Sequence, residues 1–258
     1  MAVEARPWNG AGQDFERFDA VILRSNWDYH HAIDAFAGWL DAREAAGARV
    51  WNPPALVRWN LTKRYLLELA AAGVPTVPGV VLEHDAAARL AGVLAERGWP
   101  HAVVKPVVAA SAHDAALVRD GDADRVVAAL ATGAMRQPVL VQPFVEEIRT
   151  RGEWSVVFID GVPTHTVLKR PGPGDFRVQV HLGGSAQARR AGPAVLAAAR
   201  RALEALPVPP LYARIDGVDT REGFRVMEVE VNEPGLFFTL APAAAQTFAE
   251  AVCRRLSG

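Results

Sequence analysis

Glu228-Val229-Glu230-Val231-Asn232-Glu233-Pro234-Gly235-Leu236 is the stretch on which the fold turns. Side chains of a strand alternate between faces, so Glu228, Glu230 and Asn232 share one face and Val229 and Val231 the other. Three oxygen-bearing side chains in a row on an otherwise apolar strand are costly to bury unless something cationic satisfies them. The strand is the second arm of a hairpin, Phe224 to Asn232 after Leu211 to Val218, turning at Thr220 to Gly223. The first arm carries Asp216, with Arg214 two residues before it. Asp, Glu and Asn oxygens are the hard ligands that Mg²⁺ takes, alongside phosphate oxygens and water. The competing explanation is the solvent-facing polar side of a two-layer sheet.

Upstream, Trp154 to Ile159 and Pro163 to Leu168 flank an Asp160-Gly161 turn, a strong hairpin signal. A helix over Pro193 to Ala205 follows, and another runs from Pro242 to Arg255. The two hairpins and these helices make the last third an antiparallel sheet with helical cover. The middle reads as a compact α+β unit. Asn60 is the expected N-cap of a helix over Leu61 to Ala72, and Asp85 starts a second one ending near Gly98. A strand at Ala102 to Lys105, a small-residue loop from Val107 to Asp114 and a strand at Ala116 to Arg119 follow. A helix at Asp122 to Ala131 and a strand at Val139 to Gln142 complete the unit. At the front, Phe18 to Leu23 and Arg49 to Trp51 are short strands around a helix at Ala32 to Ala46, before the rigid Asn52-Pro53-Pro54 link. The fold class is α/β (α+β), with an N-terminal α/β unit that is small and looks shortened.

With 258 residues, half of them apolar, the chain can bury a large core. A formal charge of −1 provides no basic footprint for nucleic acid or an anionic membrane. No apolar stretch approaches the ~20 residues of a membrane helix, and Met1 to Gly10 lacks a signal-peptide pattern. One cysteine, Cys253, excludes an internal disulfide or thiolate cluster, which fits a reducing cytoplasm. Small-molecule partners are therefore expected, without nucleic acid or membrane, and homo-oligomerisation is left open. The 28 basic residues divide into 25 arginines and three lysines, Lys63, Lys105 and Lys169. Lysine persisting in so arginine-rich a chain suggests sites needing a compact ammonium, as at phosphate oxygens; chance survival is the alternative. The histidines show no HExxH spacing, His30-His31 flank a helix start, and no serine lies in GxSxG. Trp27-Asp28-Tyr29-His30 follows a strand's C-terminal end, where α/β sheets bind ligands, so these four are substrate-site candidates against a structural turn.

The run Glu230 to Leu236 resembles the metal-binding strand and turn of ATP-grasp ligases, the superfamily of glutathione synthetase, D-alanine–D-alanine ligase and the ribosomal-protein glutamate ligase. The resemblance implies an ATP-grasp fold and Mg²⁺, or Mn²⁺ in its place, held by Asp216, Glu230 and Asn232. Gly174 to Ser185 is similar to the segment in which an Arg on a strand stabilises transferring phosphate charge and a Gly-Gly turn lets backbone approach substrate. That implies a catalytic role for Arg177 and substrate contact at Gly183 and Gly184. Val103-Val104-Lys105-Pro106, with the loop containing Ser111, resembles the lid strand over ATP, and Lys63 resembles the earlier phosphate lysine at a helix start. Val141 to Glu147 and Gly152 to Val156 resemble the hinge that receives adenine, implying Gln142, Phe144, Glu146 and Glu153 at the nucleotide, with Glu153 first for the ribose. Lys169, and Arg214 beside the metal strand, complete the catalytic candidates.

The resemblance spans about Asn52 to Leu240. It implies an N-terminal domain at 1–57 and an ATP-grasp domain at 58–258 with a lid at about 100–145. Within the superfamily, Arg24 to His30, Asn52-Pro53-Pro54 and Leu168-Lys169-Arg170-Pro171 are similar to the cycloserine synthetase subgroup, cyclo-ligases of O-ureido-serine. The implied reaction activates a carbonyl or carboxylate as a phosphate for attack by an amine, releasing ADP and phosphate. The alternatives are an amino-acid or glutamate-type peptide ligase and a nucleotide-binding protein without turnover.

Overall fold

The computed structural model describes residues 2–83, 86–110, 115–119, 122, 126 and 138–257. Ser111 and most of the helix expected at Asp122 to Ala131 lie outside the described residues.

The C-terminal half is built on a five-stranded antiparallel sheet. Its strands are β7 (Glu153–Ile159), β8 (Val162–Arg170), β9 (Ser185–Ala188), β10 (Tyr212–Thr220) and β11 (Gly223–Glu230), in the order β11-β10-β7-β8-β9. Both expected hairpins are present. The first turns at Asp160 and Gly161, both at positive φ (51° and 78°), which an Asp-Gly pair tolerates. Register places Asp216 opposite both Glu228 and Ser155, Arg214 opposite Glu230, and Glu153 opposite Lys169. Period-two alternation then gathers Arg214, Asp216, Glu228 and Glu230 on one face. On the other face Val156, Ile215 and Val229 pack into a core with Val195, Ala198 and Ala202 of the helix Pro193–Glu204.

A β-bulge between Asp216 and Gly217 interrupts the β10/β11 ladder, pairing Gly217 with Val226 immediately after Asp216 with Glu228. Met227 is the extra residue, so Phe224 and Val226 reach the same core face as Val229 and Val231 although their numbers differ in parity. Gly217 is obligatory there, because a Cβ would lie 2.5 Å from Arg225 O and 2.4 Å from the Phe224 ring.

A second antiparallel sheet has the order β3-β6-β4-β5. It combines β3 (Val80–Leu82), β4 (Ala102–Pro106), β5 (Ala116–Val118) and β6 (Val139–Pro143), covered by the helix Ala86–Arg97 through Leu90 and Val93. At the N-terminus, β1 (Val21–Ile22) pairs in parallel with β2 (Val50–Trp51) across the helix Ile33–Ala45, so the strand expected over Phe18 to Leu23 is shorter than its apolar run.

The helix expected at Leu61 to Ala72 is divided. One helix spans Pro54–Asn60, with proline suited to its first position, and the next spans Tyr65–Ala71. Asn60 therefore ends a helix and does not cap one. Its amide is spent on β11 and its exit, donating to Val229 O at 2.8 Å and accepting from Val231 N at 3.1 Å.

Candidate active site

The polar face of the five-stranded sheet and the inner edge of β4 and β6 enclose a cavity of about 360 Å³. Oxygens of Asp216, Glu228 and Glu230 lie within 4.8 Å of one another on its wall. Such a set repels itself, and basic side chains around it hold it together. Arg214 donates to Asp216 Oδ2 at 2.8 Å and pairs with Glu230. Lys169 Nζ lies 2.9 Å from Asp216 Oδ2 and pairs with Glu153, while Ser155 Oγ donates to Asp216 Oδ1 at 2.7 Å. Burial would raise the Asp216 carboxyl, but Arg214 and Lys169 reverse this and hold it well below the carboxylate range. Burial first, then the charges of Glu228 and Asp216, raise Glu230 to about 7 against the pull of Arg214. Three converging carboxylates, one of them reluctant to ionise, form an oxygen set suited to a hard divalent cation.

Asn232, read from the alternation as an equivalent of these carboxylates, lies beyond the end of β11 and does not line the cavity. Its Oδ1 accepts from Asn26 Nδ2 at 3.0 Å. Its own Nδ2 and Asn26 Oδ1 are buried without partners.

All three lysines line the cavity. Lys105, on β4, has no hydrogen-bond or ion-pair partner among the described residues, and burial lowers its pKa. Lys63 donates to Ala109 O at 2.7 Å and lies 3.4 Å from Glu228. It occupies the turn between two short helices, immediately before Arg64, the N-cap residue of the helix Tyr65–Ala71, so it stands at a helix start although that helix begins later than the expected Leu61. Lys169 is buried between Glu153 and Asp216, whose charges raise its pKa despite desolvation.

Arg177 also lines the cavity, but from the loop between β8 and a 3₁₀ turn at Val180–Leu182; the expected strand is absent. Asp175 takes up its guanidinium at 2.9 Å, and Arg177 in turn pulls the Asp175 carboxyl down to about 2. Gly183 and Gly184 serve the loop itself and do not line the cavity. Gly183 has φ 89°, and a Cβ on Gly184 would sit 2.3 Å from Val178 O. In the hinge region, Gln142, Phe144 and Glu153 line the cavity. Gln142 is tied to Val77 O at 3.1 Å, and Phe144 meets Phe176 edge-on at 6.0 Å. Glu146 is exposed beside Arg149 (3.4 Å) and does not border the cavity.

Of the N-terminal candidates, Trp27 and Tyr29 line the cavity; Asp28 and His30 do not. Asp28 accepts from Trp8 Nε1 (2.9 Å) and Asn9 Nδ2 (3.0 Å), and His30 Nδ1 contacts Trp27 O at 2.7 Å, so both fix the local turn.

Sequence reasoning passed over Asn26, Asn52, Ser155 and Glu233. Glu233 is buried on the cavity wall, where burial and the Glu230 charge raise it to about 8. Its one visible signal is an acidic residue inside an otherwise apolar turn. Asn52 and Asn26 act through contacts more than 150 positions away and carry no local signal.

Residues 76–238 match the family described as prokaryotic glutathione synthetase, ATP-grasp domain, and residues 1–52 match the N-terminal domain of D-cycloserine synthetase. The cycloserine biosynthesis protein DcsG of Streptomyces lavendulae is 34% identical over 276 residues, covering 99% of this chain and 89% of that protein. Glutathione synthetase of Parasynechococcus marenigrum is 29% identical, covering 91% and 74%. The crystal structure of D-cycloserine synthetase superposes with a TM-score of 0.87 at 32% identity, covering 96% of this chain and 88% of that one. D-alanine–D-alanine ligase from Bacillus anthracis shares the fold at a TM-score of 0.66 and 17% identity, with 85% and 76% covered.

Proposed function

Because the chain belongs to the ATP-grasp ligases, enzymes that form C–N bonds at the expense of ATP, we propose that it activates the carbonyl or carboxylate of a small amino-acid derivative as a phosphate and closes it intramolecularly, as a cyclo-ligase. The observation that carries this is the meeting, in one cavity, of three carboxylates with Lys63, Lys105 and Lys169. The relation to cycloserine synthetase over nearly the whole chain supports a cyclic product and makes O-ureido-serine the first substrate to test. The glutathione synthetase match supports a linear amide as the second reading, and product mass separates the two.

Asp216 and Glu230 would hold Mg²⁺, with Glu228 completing the carboxylate set, and Mn²⁺ would suit the same donors. When bound, the cation neutralises phosphate charge. Lys105, without a hydrogen-bond or ion-pair partner among the described residues, binds phosphate oxygens, and Lys63 joins it on release from Ala109 O. Arg177 moves from Asp175 to the transferring phosphoryl group, and Arg214 and Lys169 keep Asp216 ionised. Gln142, Phe144 and Glu153 border the nucleotide. Residues 1–57 form the N-terminal domain and 58–258 the ATP-grasp domain, whose lid, about 100–145, includes β4, β5 and β6. Positioning between these parts and exclusion of water supply most of the rate. Activity is expected in the cytoplasm, and no described helix is long and apolar enough to cross a membrane.

Glu230→Gln tests the metal assignment. Substrate-dependent ADP release should fall at least about 100-fold, because a direct ligand matters no less than the outer-shell groups whose loss already costs 10–100-fold. The circular dichroism spectrum should not change. Undiminished turnover would remove Glu230 from the site.

A further inference from the structure

One carboxyl on the cavity wall feels Lys63 and Arg24 at a distance but is in direct contact with neither among the described residues. Glu233 follows Asn232 in the turn after β11 and is 8% exposed. Asp216, Glu228, Glu230 and Glu153 each pair with a lysine or arginine, whereas Glu233 makes no ion pair among the described residues. Arg24 is nearby but committed, donating to Pro234 O at 2.8 Å with its guanidinium 5.4 Å from the centre of the Tyr212 ring. Two aromatic side chains of the N-terminal segment border the acid. Trp27 Nε1 donates to Glu233 O at 3.0 Å, and the Tyr29 hydroxyl is close enough to the Glu233 carboxyl that this charge, after burial, raises its pKa. All three line the cavity.

A buried carboxylate without a cation is costly. A divalent metal needs several oxygens, which the cluster around Asp216 supplies and this corner does not. A single carboxylate framed by tryptophan and tyrosine suits an organic ammonium, which pairs with the acid and packs on the rings.

We propose that Glu233, with Tyr29 and Trp27, anchors the protonated amine of the amino-acid substrate where the N-terminal segment meets the turn after β11. The proposal rests on the ligase reading and assigns one end of the substrate: the amine is held here, leaving the carbonyl to reach the phosphates.

Calorimetric titration in the presence of Mg-ADP tests it without requiring turnover. The probes are O-ureido-serine and its N-acetyl derivative, which lacks the charge. The wild-type protein should bind the free amine at least tenfold more tightly than the acetylated form. Glu233→Gln should weaken the free amine roughly 10- to 100-fold, the range for losing a hydrogen bond to a charged group. It should also abolish the preference over the acetylated form, with Mg-ADP affinity within twofold of wild type. Tyr29→Phe, which keeps the ring, should lose several-fold and serves if the Gln variant does not fold. Equal binding of both probes by the wild type, binding of neither, or a preference that survives in the variants would overturn the proposal. Amine binding by this rule without ADP release would leave the anchor standing and refute the ligase reading instead.

Discussion

Glu230 shows how a single residue carries both stability and function. Its carboxyl is raised to about 7 by burial and by Glu228 and Asp216, above the ordinary value of 4.5. An acid with a folded-state value above its unfolded one binds more protons when folded, so its ionisation destabilises the metal-free protein. That contribution is favourable below about pH 4.5 and is lost progressively as pH rises towards 7. A cation at the carboxylates opposes the loss. Thermal melts between pH 5 and 8 should therefore show the metal-free Glu230→Gln variant declining less than the wild type, and parallel curves would contradict the assignment. At this scale the lysines were legible in the sequence, because rarity marked Lys63, Lys105 and Lys169 and all three face the cavity. Their differing states were not legible: the partners of Lys169 lie on β7 and β10, and Lys105 is distinguished by having none among the described residues.

The element that organises the site is the β10/β11 ladder, and alternation along β11 puts Glu228 and Glu230 on one face. Alternation did not reveal the bulge at Asp216 and Gly217, because a bulge is a property of two paired strands. It also did not reveal how the ladder is clamped. Asn52 is fully buried, donates to Tyr212 O at 2.8 Å and Val231 O at 2.6 Å, and accepts from Leu211 N at 2.6 Å. Asn52→Ala would leave these backbone groups unpaired in the interior, at a cost of roughly 2–4 kcal/mol. For a chain of this size that lowers Tm by roughly 5–15 °C. Differential scanning calorimetry checks it, and a Tm within a degree of wild type would show that water replaces the clamp. At Gly184 the sequence marks a close approach, and the folded loop shows that the approaching group is Val178 O.

Across the whole molecule, the N-terminal segment is part of the site. Arg24, Asn26 and Trp27 bond in turn to Pro234, Asn232 and Glu233, and the Tyr212 hydroxyl bridges Leu23 O and Asn232 O. A ligand spanning the cavity should therefore stabilise the chain as a unit. At a hundred times its Kd, Mg-ADP contributes about 2.7 kcal/mol, or roughly 5–10 °C in Tm. Most of that shift should disappear without Mg²⁺; an equal shift for ADP alone would separate nucleotide binding from the carboxylates. The sequence by itself determined the fold class, both hairpins, the family and the acidic strand with its lysines, because strand alternation, turn chemistry and short motifs are encoded by neighbours along the chain. Only the tertiary structure decided that Asn232 leaves the carboxylate face for Asn26, that Glu146 does not border the cavity, that Asn52 clamps the ladder and that Glu233 stands on the cavity wall. Each of those depends on which distant backbone or charge a side chain meets once the sheets have closed, and on how much water that closure removes.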